Sequence, residues 1–87
     1  MKILYAEKAE KQLKRIAKGN RNAASLIIDA IESYAGNPAG VFDIKLLKGR
    51  YGNFKRLRVG NYRVIFDDEE NVMLIYEVKH RQEAYHD

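Results

Sequence analysis

Apolar positions recur at helical spacing in the first part of the chain and at strand spacing in the last. Over about residues 7–18 they fall at Ala9, Leu13, Ile16 and Ala17 with charged residues between, which predicts an amphipathic helix. Gly19 ends that helix and Asn20 is placed to cap the next one. Over about 21–35, Ala24, Ile27, Ile28, Ile31 and Tyr34 or Ala35 form a second stripe, and Gly36-Asn37-Pro38 stops it. Two such helices across so short a break read as an antiparallel hairpin whose stripes pack on a sheet. Residues 1–5 predict a short strand, and 54–59, 62–67 and 72–79 predict three more. Gly60-Asn61 is a favoured two-residue hairpin turn, and Asp68 to Asn71 supplies the second reversal. Residues 39–53 carry apolar anchors broken by glycines and read as a loop. The fold class is therefore α+β: an N-terminal strand, a helical hairpin, then a three-stranded antiparallel meander, in a single domain spanning 1–87.

Strand parity sorts the meander into two faces. With Gly60-Asn61 as the turn, Val59 opposes Tyr62, Arg58 opposes Arg63, Leu57 opposes Val64 and Arg56 opposes Ile65. One face then carries Leu57, Val59, Tyr62, Val64 and Phe66, continued by Val72, Leu74, Tyr76 and Val78, and takes the helices. The other carries Phe54, Arg56, Arg58, Arg63 and Ile65, joined by Met73, Ile75, Glu77 and Lys79. Two arginines directly opposed across strands repel, and broken local rules concentrate at functional sites. An anion between them would turn repulsion into a clamp, because guanidinium forks donate paired hydrogen bonds to phosphate and stay charged at any cellular pH. The competing reading is that Glu77 or Asp67 pairs with these arginines and the face is only solvated. A bulge would move residues to the opposite face.

Charge sharpens this picture. The formal net charge is +4, but between Asp43 and Asp67 lie Lys45, Lys48, Arg50, Lys55, Arg56, Arg58 and Arg63 with no acidic residue among them. Such concentration favours a polyanionic partner, of which nucleic acid is the usual one. A hydrophobic fraction of 46% and a charged fraction of 32% fit a globular protein. The absence of cysteine excludes disulfides and thiolate metal sites and makes the cytosol the expected compartment. The apolar start runs into Glu7 and Lys8, far short of a signal-peptide core or a spanning helix, so no membrane association is expected.

The closing segment adds Lys79, His80, Arg81 and Tyr85 near the hairpin end that holds Arg58 and Arg63. Together with Leu47-Lys48-Gly49 and the strand Asn61-Tyr62-Arg63-Val64-Ile65-Phe66, this tail resembles the RelE/ParE toxins over nearly the whole chain. The RelE branch of that superfamily implies a ribosome-dependent endoribonuclease that cleaves messenger RNA in the ribosomal A site. It works without metal or other cofactor, through attack of the substrate's own 2′-hydroxyl. The resemblance implies that Arg63 and Arg81 hold the phosphate, that Arg56 is a basic residue of the preceding strand, and that Tyr85 stacks on or orients a base. Arg58, Lys79, Lys55, Lys48 and Arg50 are expected to bind RNA or phosphate. Two lysines of the RelE pattern are replaced here by Phe54 and Arg56, with Lys55 pointing the other way. Arginine does not deprotonate in proteins, so Lys79, His80 and Glu83 are the candidate bases. His80 has the most suitable intrinsic pKa, while the strand register, if the strand continues that far, puts its side chain on the core side. The alternatives are a ParE-like inhibitor of DNA gyrase without nuclease activity, and a degenerate toxin that only binds RNA or its antitoxin. All three imply a cognate antitoxin.

Overall fold

The structure, a computed structural model, describes residues 1–47 and 53–81. Lys48, Arg50, Glu83 and Tyr85 lie outside the described residues. The elements run β1 (Lys2–Tyr5), α1 (Glu7–Gly19), α2 (Arg21–Gly36), β2 (Ile44–Leu46), β3 (Lys55–Val59), β4 (Tyr62–Asp67), a single 3-10 turn (Glu69–Asn71) and β5 (Val72–His80). The strands form one sheet in the order β1-β5-β4-β3-β2. The α+β class and the antiparallel meander β3-β4-β5 are as the pattern predicts. Two features extend it. β1 joins the sheet parallel to β5, and β2 pairs antiparallel with β3, so the meander is the centre of a five-stranded mixed sheet.

β2 falls where a loop is expected. Only three residues pair, with Lys45 between Ile44 and Leu46, too short an alternation to rise above the surrounding glycines. Pairing with β3 nevertheless gives their backbone groups partners and sets Ile44 opposite the buried Leu57.

α1 buries Ala9 and Leu13, with Ile16 partly covered, while Ala17 is exposed and adds nothing to the core. α2 starts at Asn20, whose side-chain oxygen accepts the Ala23 N–H at 3.0 Å as a helix cap does. It buries Ala24, Ile27, Ile31 and both Tyr34 and Ala35, and leaves Leu26 largely to solvent and Ile28 partly so. Both helices supply the same core, where they meet Leu57, Val64 and Phe66 from β3 and β4. Phe66 is fully buried and meets the Tyr34 ring edge-on at 5.1 Å between centroids.

The hairpin register is as the turn predicts: Val59 opposite Tyr62, Arg58 opposite Arg63, Leu57 opposite Val64 and Arg56 opposite Ile65. Gly60 has φ of 58°, the left-handed conformation that a first hairpin position demands and side chains resist.

β5 departs from the expected parity. Val78 pairs with Val64 and Glu77 with Ile65, but Phe66 pairs with Ile75, so Tyr76 is an extra residue in a bulge. Beyond the bulge every side chain changes face. Met73 and Ile75, expected on the cationic side, are fully buried in the core. Val72, Leu74 and Tyr76, expected against the helices, stand on the opposite side with Glu77 and Lys79. β1 ends at Tyr5, opposite Ile75, so β5 runs past it. Gln12 of α1 takes over there, its side-chain oxygen accepting the Val78 N–H at 2.7 Å. Among the described residues no helix is long and apolar enough to cross a membrane.

One polar cluster closes the helix side of the sheet. Asp68 accepts from the Tyr34 hydroxyl at 2.5 Å and from Lys55 at 2.9 Å, tying α2, β3 and the β4–β5 reversal together. Burial alone would push the Asp68 carboxyl up. The hydrogen bonds from Tyr34 and Lys55, with the lysine charge, outweigh it and hold the carboxyl below the usual range. The bond to Asp68 raises Lys55 against the opposing effect of burial. The depressed carboxyl contributes stability above its ordinary value of 3.8 that is lost as pH falls through the lower folded value. The raised ammonium contributes stability below 10.5 that is lost as pH climbs through the higher folded value. Asp68→Asn is expected to cost about 1–2 kcal/mol at neutral pH. In urea unfolding at several pH values, the gap to the parent should be flat between those limits and shrink beyond both.

Candidate nucleic-acid interface

Because both helices lie on one side, the other side of the sheet is free to present chemistry. Alternation along β3 and β4 sends Arg56, Arg58, Arg63 and Ile65 to this outer face, and Lys45, opposite Arg56, joins them. Arg63 pairs in turn with Lys79 of β5. Arg58, Arg63 and Lys79 therefore form one row of three cations across neighbouring strands. Lys45, Arg56, Ile65 and Glu77 form the next row, one pleat along. Arg81 follows β5, and its backbone N–H donates to the Asn61 carbonyl at 2.6 Å, which sets its backbone beside the hairpin tip at the end of the first row.

The acidic residues nearest these cations have definite partners. Arg56 Nη2 donates to Asp43 at 2.9 Å, while its Nε is buried without a hydrogen-bond partner among the described residues. Glu77 is engaged by Lys8 from α1 and by Lys79 at 3.5 Å, and Asp67 accepts the Tyr76 hydroxyl at 2.7 Å. That hydrogen bond, reinforced by burial, pushes the Tyr76 hydroxyl pKa up. Arg58 Nε donates to the Gly60 carbonyl at 3.4 Å. The expected opposition of Arg58 and Arg63 is present, and among the described residues Asp43 and Glu77 pair with cations at the margins of this face.

Two expected residues stand elsewhere. Lys55 is on the helix side, bound to Asp68, because its parity is opposite to that of Arg56 and Arg58. His80 is also on the helix side: β5 continues through it, it pairs with Tyr62, and the two rings meet edge-on at 5.2 Å. It lines a small cavity with Gln12, Arg15 and Ile16 of α1, on the side of the sheet away from the arginine rows.

Sequence reasoning missed the groove beside the cations. It has a volume of about 530 Å³ and is lined by Leu47, Phe54, Ile65, Tyr76, Glu77 and Lys79, with Lys8 at its rim. Phe54 and Tyr76 pack against each other at 4.5 Å between centroids with planes tilted by 48°. Tyr76 reaches this face only through the bulge, and no local residue signal marks that position. Lys8 was hidden for another reason: it reads as the solvated face of a helix until the fold brings it to Glu77.

The chain matches, over residues 3–85, the family described as the ParE toxin of the type II toxin-antitoxin system parDE, and it belongs to that family. Among its relatives is Toxin RelE3 of Methanocaldococcus jannaschii, 34% identical over 85 residues that span 98% of this chain and 96% of the relative. A chain of the RelB-RelE antitoxin-toxin complex from Methanococcus jannaschii superposes with a TM-score of 0.75 at 29% identity, covering 94% of each chain. A chain of the YoeB-YefM complex from Staphylococcus aureus shares the fold, with a TM-score of 0.77 at 19% identity over 92% of this chain and 95% of that one. The RelE/ParE resemblance read from the sequence thus holds for both family and fold.

If Arg58 and Arg63 oppose each other for the sake of a ligand, relieving the pair should favour the free protein and harm binding. Arg58→Gln is expected to gain about 0.2–0.5 kcal/mol in denaturant unfolding. Its affinity for single-stranded RNA should fall, with a shallower dependence on salt concentration.

Proposed function

We propose that this protein is the toxin of a type II pair that cleaves messenger RNA in the ribosomal A site, acting in the cytoplasm and held inactive by a cognate antitoxin. The observation that carries this reading is the row Arg58, Arg63 and Lys79 on the helix-free face, with Arg81 at its end. The 34% identity to a relative named Toxin RelE3 supports the same branch, and a chain of a RelB-RelE complex at 29% identity supports the antitoxin partner.

In the proposed reaction the substrate's 2′-oxygen attacks the adjacent phosphorus and the 5′-oxygen leaves. The products are a 2′,3′-cyclic phosphate and a 5′-hydroxyl. No metal is needed, because Arg63 and Arg81 stabilise the charge that develops on the phosphate oxygens. Preorganised cations of this kind are usually the largest single catalytic contribution. Arg56, fixed by Asp43, holds a neighbouring phosphate oxygen. Tyr85 stacks on a base of the single strand. Of the candidate bases, Lys79 shares the face of the arginines and His80 does not. Lys79 takes the 2′-hydroxyl proton in its neutral amine form, since the ammonium has no acceptor, and water supplies the proton that the departing 5′-oxygen takes up.

The second reading, inhibition of DNA gyrase, is favoured by the family description itself, which carries the ParE name. Primer extension on a translated message after brief induction in cells separates the two. New cuts within the translated region are expected for the parent, with a loss of at least a hundredfold in Arg63→Ala or Arg81→Ala, the scale on which removal of one transition-state donor acts. Intact message in growth-arrested cells, with gyrase inhibited in supercoiling assays, would establish the ParE-like activity instead.

A further inference from the structure

The groove beside the arginine rows has the composition of a nucleobase site. One wall is aromatic, formed by Phe54 and Tyr76, and Tyr76 is held in place by its bond to Asp67. The floor is Ile65, whose strand neighbours are Arg56 on one side and Glu77 on the other. At the end stands the Glu77 carboxylate, with Lys8 on one oxygen and Lys79 on the other. A carboxylate has about four lone-pair positions, so each oxygen keeps one acceptor site after its lysine is served.

We propose that this groove binds a guanine base of the RNA strand whose phosphates lie on Arg56, Arg58 and Arg63, an assignment that rests on the ribonuclease reading. The aromatic wall gives the base a stacking surface, and such stacking tolerates any base. Selection falls to Glu77. Guanine offers two parallel donors, its ring N1–H and its exocyclic amino group, which match the two oxygens of a carboxylate. Adenine and cytosine each offer one amino donor beside a ring acceptor. Uracil sets a single N–H between two carbonyls that a carboxylate repels.

The placement of the cations specifies a strand over a protein segment as the occupant. Arg56 stands one strand from Ile65, roughly 5 Å away, and Lys79 stands two residues from Glu77, roughly 7 Å along β5. These separations match that between a base and its own backbone phosphate. A base in the groove therefore lays its flanking phosphates on the arginine rows without further movement of the chain.

Neither Glu77 nor Phe54 is assigned to the cleavage chemistry, so binding is tested apart from it. The probes are the trinucleotides UGU and UUU carrying 2′-O-methyl groups, which cannot be cleaved by 2′-attack, and guanosine 5′-monophosphate. Calorimetric titration of the full chain should show UGU bound about tenfold more tightly than UUU, the scale of one paired base contact. Glu77→Gln, which keeps the shape and replaces one acceptor with a donor, should bring the ratio close to one. Phe54→Leu should weaken both trinucleotides about tenfold and keep the ratio. Equal affinities for UGU and UUU, or an unchanged ratio in Glu77→Gln, overturn the proposal. It is equally overturned if guanosine monophosphate binds as tightly as UGU, because the arginine rows would then add nothing. Loss of antitoxin binding in Glu77→Gln, with RNA selectivity unaltered, would assign the groove to the protein partner. Messenger cleavage without guanine selectivity would sink this inference alone. Selective binding of UGU without cleavage in cells would sink the ribonuclease reading instead.

Discussion

The extra residue that β5 carries opposite the Ile65–Phe66 step determines what each face of the sheet can offer. A regular strand would have to choose between burying Val78 and burying Ile75, since they lie an odd three positions apart. With Tyr76 inserted, Met73, Ile75 and Val78 all enter the core, while Tyr76 and the adjoining Glu77 both turn outward. One irregularity therefore completes the hydrophobic packing beneath the helices and builds the aromatic, acid-tipped end of the groove on the other side. Bulges commonly occur beside functional sites, where they re-aim a side chain.

The two faces are stabilised by opposite means. On the helix side the apolar core is closed by Tyr34, Lys55 and Asp68, a fully partnered cluster with complementary charges. The outer side places Arg58 directly against Arg63, and among the described residues Asp43 and Glu77 pair with cations at its margins. That arrangement is unfavourable for a free protein and favourable for one that meets a polyanion. Lys55 and Arg56, adjacent in sequence, show the division well: one is part of a structural clamp and the other faces the proposed substrate. Together with Arg63 and Lys79, Arg56 gives the proposed RNA-binding surface its charge.

Much of this was readable in the residues, and what was not has identifiable causes. The helices, the Asn20 cap and the Gly60-Asn61 register follow from spacing and turn chemistry acting over a few residues, so Arg56, Arg58 and Arg63 could be placed on one face from the sequence alone. Both failures of local pattern arise from tertiary pairing. The strand Ile44–Leu46 exists because β3 offers it an edge, and the bulge at Tyr76 exists because the core claims Ile75. Because of that bulge, alternation counted back from Val78 assigned Tyr76 to the core and left the groove unseen. His80 shows the converse: its chemistry suggested a catalytic base, but its register puts it against Tyr62 on the helix side.

The central claim is that the helix-free face of the sheet is the surface that meets RNA. It is tested most directly by mapping amide chemical shifts of the isotopically labelled protein during titration with a non-cleavable single-stranded oligonucleotide. The account predicts that the largest changes fall on Lys45, Arg56, Arg58, Arg63, Ile65, Glu77 and Lys79, and that α1 and α2 beyond Lys8 remain nearly silent. Changes concentrated on the exposed sides of α1 and α2, with the arginine rows unmoved, would contradict it.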